Sequence, residues 1–156
     1  MRDRENTGGE EREKKPYAES PIIMTSVRVV SPFVLTYGIF VTLHGANSPG
    51  GGFQGGVIMA SVFVMLGFAF GIRPTSDWAD YRAVLGLATG GVVLFAAVGL
   101  VALPLGGDVL QLDVLPIAVK WGVELLEVAI GMIVAGVVTG LFFVLSRGGR
   151  KEGEEA

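Results

Sequence analysis

The sequence contains no cysteine, which excludes disulfide frameworks, thiolate metal sites and cysteine nucleophiles in this chain. Histidine occurs once, as His44, and His, Asp and Glu nowhere recur at metal-ligand spacing. There is no Gly-x-Ser-x-Gly elbow and no pair of carboxylates set for work in an aqueous pocket. By itself the chain reads as non-catalytic, with no cofactor of its own. A formal net charge of −3, with tails of mixed sign, leaves no electrostatic footprint for nucleic acid.

Charge is also scarce, but only locally. The 12 basic and 15 acidic side chains crowd the ends, with eleven in residues 1–20 and six in residues 147–155. The head, "MRDRENTGGEEREKKPYAES", has neither the n-region nor the cleavage site of a secretory signal, and it reads as a retained, solvated and flexible tail. Residues 147–156 read as a second charged tail.

Between the tails the composition is apolar, and the whole chain is 51% hydrophobic with a mean hydropathy of +0.58. A bilayer core of about 30 Å takes about 20 helical residues to cross. Four runs meet that length, at about 22–43, 55–72, 83–105 and 121–145. The expected fold is therefore all-α, an integral membrane protein of four transmembrane helices in a small bundle spanning residues 21–146. Arg28 lies near one end of the first span, where it can snorkel to headgroups, and Pro32 can kink it. Trp78, Tyr81 and Trp121 stand where interfacial aromatics are expected.

Four spans place the head, the link between spans two and three, and the tail on one side. Eleven of the 12 Lys and Arg residues fall on that side, and only Lys120 falls on the other. The charge rule then makes both termini cytoplasmic and turns the stretch "HGANSPGGGFQGG" outward. Gly52/Gly56, Gly67/Gly71, Gly86/Gly90 and Gly136/Gly140 are spaced four apart, so each pair shares a helix face and admits a close neighbouring backbone.

Two constellations stand out. In the first, His44 to Gly56, Pro49 pre-sets a turn and Gly50, Gly51 and Gly52 free its backbone angles. Phe53 is placed to anchor the turn in the apolar edge, and Gly55 and Gly56 give the second span a small-residue start. No Lys-Ser or Lys-Thr follows the glycines, so a nucleotide-binding loop is not supported. His44 is either a proton relay or an interfacial imidazole bonded to the turn that follows it. The second constellation is "KWGVELLEV", in which Lys120, Glu124 and Glu127 fall near one helix face. Glu127 lies about 9 Å beyond Trp121 along the axis, deeper than an interface requires. An acid at that depth is paired, protonated or facing water, and is a candidate for an ion or proton route. The plainer reading is that both acids favour the first turns of a helix, with Lys120 as a surface partner.

The element "H…PGGGFQGG" followed by "GGVIMAS", together with an acid ahead of "VAIGMIVAGVV", resembles the B subunit of Mrp-type (Mnh-type) multisubunit sodium/proton antiporters. The resemblance runs from about Val29 to Leu145. His44, Pro49, Gly50, Gly51, Gly52, Phe53, Gly55 and Gly56 match the family's outer-loop motif, and Glu127 matches the acid of its last span; Lys120 and Glu124 match more loosely. The resemblance implies a small subunit in a prokaryotic cell membrane, packed among large complex-I-like antiporter subunits and other small helical subunits. The complex would exchange sodium ions for protons, with this chain supplying interfaces and part of a cation or proton route. Two alternatives stay open on the sequence: the same module within a redox-driven ion pump of the membrane-bound hydrogenase type, its redox centres on other subunits, and a purely structural scaffold.

Overall fold

The computed structural model describes residues 20–45, 49–71, 74–75, 80–115 and 118–151. The charged head, Ser48, Arg73, Trp78 and the last five residues lie outside the described residues. Four long helices make up the fold: α1 (Pro21–Leu43), α2 (Gly52–Phe70), α3 (Tyr81–Leu100) and α4 (Val119–Lys151). Two short 3-10 turns, Leu103–Leu105 and Leu112–Val114, lie between α3 and α4. No strand occurs among the described residues.

Local chemistry sets the helix ends. Pro21 opens α1 with its ring already at a helical angle. α1 then continues through Pro32, which cannot donate to the carbonyl of Arg28. Hydroxyls around the proline bond back along the helix, Ser31 Oγ to the Val27 carbonyl at 2.6 Å and Thr36 Oγ1 to the Pro32 carbonyl at 2.8 Å. α2 stops at Gly71, whose φ of 95° belongs to glycine. Asp80 caps α3 by accepting from the Arg82 amide at 3.2 Å.

The apolar stretches long enough to cross a bilayer are Pro21–Leu43, Gly52–Phe70, Tyr81–Leu105 and Val119–Ser146. They reproduce the four expected spans, with α2 starting three residues early because Gly52, Phe53 and Gln54 are already helical. The packing differs from a closed bundle. α2 lies between α1 and α4, and α4 lies between α2 and α3, while α1 meets α4 only lightly. The result is an open row in the order α1, α2, α4, α3. Arg28 at one end of α1 lies over the Phe70 ring at the end of α2, 5.5 Å from its centroid, so α1 and α2 run antiparallel. Along α2 and α4 the contacts pair Gly52 with Glu127, Gly56 with Val134 and Gly67 with Phe142, so these two helices run parallel.

Small residues make the seams. Ala60 and Ala129 are fully buried, whereas Phe33 on α1 is 71% exposed and Val93 on α3 is 62% exposed. A soluble protein of this size would hide such side chains; a membrane protein turns them to lipid or to neighbouring helices. At the end of the row away from the glycine hairpin, Val84 and Phe143 form a buried contact supported by Phe63 and Phe142.

Not every expected glycine pair works as a pair. Gly52 and Gly56 both face α4, but Gly86 faces open space, and a methyl on Gly140 would come no nearer to Val84 than 3.7 Å. The close approach of α3 to α4 runs instead through Gly91, where a methyl would sit 2.7 Å from the Ala129 carbonyl, and Gly136, where it would sit 2.8 Å from Ala88.

Candidate functional site

The site lies where the start of α2 crosses α4. A methyl on Gly52 would fall on the Glu127 carbonyl oxygen and lie 2.9 Å from the Gly131 amide nitrogen. One turn on, a methyl on Gly56 would lie 2.8 Å from the Gly131 carbonyl. The two backbones touch here, as glycine alone permits. Gly55 looks the other way, toward α1: a methyl there would fall on Thr42 Oγ1 and lie 2.7 Å from the Gly38 carbonyl. The motif's helical glycines thus serve two seams at once, Gly52 and Gly56 for α4 and Gly55 for α1.

Into this crossing comes the side chain of Glu127. Its Oε2 accepts a hydrogen bond from the Gly52 amide, and Gly45 and Gly51 lie against the same carboxylate. Gly52 is the first residue of α2, so its N–H has no partner within the helix and sits at the positive end of the helix dipole. The acid in the last span and the glycine hairpin, which the sequence offers as separate candidates, form one structure.

Glu124, about one turn earlier on α4, differs. Its Oε2 is buried and has no hydrogen-bond partner. Lys120 is exposed and does not reach that oxygen, so the surface pairing expected between them is not made there. A buried carboxylate oxygen without a donor carries a desolvation cost that a proton, a cation or an incoming donor relieves.

His44 closes α1. Its ring stacks on Phe40, with centroids 4.1 Å apart, and Nδ1 donates to the Phe40 carbonyl at 3.1 Å. This bond runs back to the preceding helical turn, while residues 46–48 of the turn that follows lie outside the described residues. Gly50 faces Val41, and Pro49 and Phe53 are exposed, so Phe53 offers its ring to the surroundings of the row rather than to its interior. Among the described residues no three His, Asp or Glu side chains gather as metal ligands.

Thr42, Gly45 and Gly131 belong to this site and were not singled out in the sequence. Thr42 Oγ1 bonds to the Gly38 carbonyl at 3.0 Å, and its side chain borders both Gly55 and Gly131. Gly38 and Thr42 are four apart, a small-residue spacing that would have pointed to this face. Gly131 follows Glu127 by the same interval.

Residues 22–140 match the family model described as "Domain related to MnhB subunit of Na+/H+ antiporter". Among similar proteins are two named "Putative antiporter subunit mnhB2". That of Staphylococcus epidermidis (strain ATCC 35984) is 39% identical over 56 residues, covering 35% of this chain and 40% of the relative. That of Staphylococcus aureus (strain Newman) is 33% identical over 66 residues, covering 41% and 47%. The chain thus spans less than half the length of these curated relatives. The family match extends over both arms of the glycine crossing, from α1 through Glu127 and beyond, and by it the chain belongs to the family of the MnhB subunit of sodium/proton antiporters.

Proposed function

We propose that this chain is an integral subunit of a multisubunit sodium/proton antiporter, forming a helical wall whose acidic end borders a cation or proton route. The observation that carries this reading is Glu124 Oε2, buried and without a donor in a membrane-spanning helix. Glu127, Lys120 and His44 surround the same end of the row. One wall cannot enclose a pathway, so the other walls belong to partner membrane subunits, large complex-I-like antiporter subunits and small helical ones. The exposed apolar faces of α1 and α3 suit lipid or such partners. On the charge rule both termini face the cytoplasm of a prokaryotic cell and the glycine hairpin faces outward. The relatives, named as antiporter subunits, favour an antiporter over a redox-driven pump.

The test is purification of the chain with whatever assembles around it, followed by reconstitution into vesicles. The expected result is a complex of several membrane subunits that moves sodium against a pH difference, and that loses exchange when this chain is omitted. A chain that purifies alone, or a complex that exchanges equally well without it, contradicts the reading.

A further inference from the structure

From the contacts around Glu127 we infer that Gly45, Gly51 and Gly52 form a cradle for its carboxylate, making Glu127 a positioning residue that locks the hairpin onto α4. Three observations support this. The Gly52 amide donates to Glu127 Oε2. The three atoms nearest a methyl on Gly51 would all belong to the Glu127 side chain, Oε2 first, then Cδ at 2.8 Å and Oε1 at 2.9 Å. A methyl on Gly45 would lie 2.9 Å from Glu127 Cδ. Among the described residues, the hairpin meets the acid from two sides through glycines, the Gly52 amide as donor and Gly45 and Gly51 as room for the carboxylate.

Gly51 is not at a position that demands glycine for its backbone. Its φ of −178° is extended backbone that other residues adopt, so the need for glycine comes from the space that Glu127 fills. Gly52 is different, because its missing methyl would meet the Glu127 carbonyl and the Gly131 amide, which are main-chain atoms. Gly51 thus belongs to the acid, and Gly52 to the helix seam as well. A carboxylate held in this way accepts from the Gly52 amide and has a helix terminus to anchor, which suits a strut better than a group that must take up and release an ion.

The experiment co-expresses the chain with its membrane partners and measures how much of it enters the purified complex. Gly51→Ala alone reduces that amount by about tenfold, because a methyl is forced onto the Glu127 carboxylate. Glu127→Ala alone reduces it less, and adding Gly51→Ala to Glu127→Ala brings no further loss, since the methyl fills the space vacated by the acid. Gly52→Ala stays poorly assembled in both backgrounds. A double substitution that assembles no better than Gly51→Ala alone overturns the cradle, as does rescue of Gly52→Ala by Glu127→Ala.

A second readout, which rests on the antiporter reading, separates holding from carrying. Glu127→Gln keeps an oxygen that accepts from Gly52, so the assembled complex retains exchange and its apparent KM for sodium stays where it was. An assembled Glu127→Gln complex that has lost exchange, or whose KM for sodium has risen by about tenfold or more, overturns the positioning role. If the wild-type complex exchanges no sodium, the antiporter reading falls, while the assembly cycle still decides the cradle.

Discussion

Gly52 donates its amide hydrogen to Glu127 Oε2 across seventy-five positions of sequence, and that bond joins the loop end of the α1–α2 hairpin to the last membrane helix. The same crossing brings Gly131 and Thr42 together, so three of the four helices meet at the glycine hairpin. Gly51, Gly52, Gly55 and Gly56 each answer to a particular neighbour.

The first prediction concerns the seam between α1 and α2. Gly55→Ala drives a methyl into Thr42 Oγ1 and the Gly38 carbonyl, and overpacking of this kind costs about 1–3 kcal/mol. The dissociation temperature of the detergent-solubilised complex should fall. Gly86→Ala is the matched control: Gly86 faces open space, and replacing glycine inside a helix gains about 0.5–1 kcal/mol. An equal loss from both substitutions would show that the seam does not run through Gly55.

Thr139 supplies a second prediction. It is 2% exposed, and its Oγ1 has no hydrogen-bond partner. Valine keeps the shape and removes the orphaned hydroxyl, so Thr139→Val should be neutral or stabilise the complex by about 1 kcal/mol. Measured by the same dissociation temperature, a clear loss of stability would mean that the hydroxyl makes a hydrogen bond in the assembled complex.

The number of long apolar helices and the bounds of their apolar stretches to within a few residues were legible in the sequence, as was Glu127 as an acid at depth, because hydrophobic run length and an acid in an apolar run are local signals. Their arrangement was not. Gly86/Gly90 and Gly136/Gly140 have the same spacing, yet Gly86 packs on nothing, while Gly136 makes the close approach together with Gly91, which is in no expected pair; which face of a helix meets a neighbour depends on helix rotation, which spacing alone leaves open. The link between the hairpin and Glu127 was hidden for a similar reason. The donor is a backbone amide, and sequence patterns do not display amides.

The absence of cysteine makes topology directly measurable, which gives a third prediction. Asp108→Cys, in the loop between α3 and α4, should react with a membrane-impermeant maleimide added to intact cells, and Glu154→Cys should react only after the membrane is opened. The reverse pattern would invert the orientation and place the glycine hairpin on the cytoplasmic side.

The most direct test of the transport role is the rate of pH-driven sodium uptake by vesicles containing the complete complex with Glu124→Gln in this chain. Removing the charge of Glu124, whose Oε2 is buried without a donor, should leave assembly intact and reduce exchange by about tenfold or more. An assembled Glu124→Gln complex that takes up sodium at the wild-type rate would contradict the account.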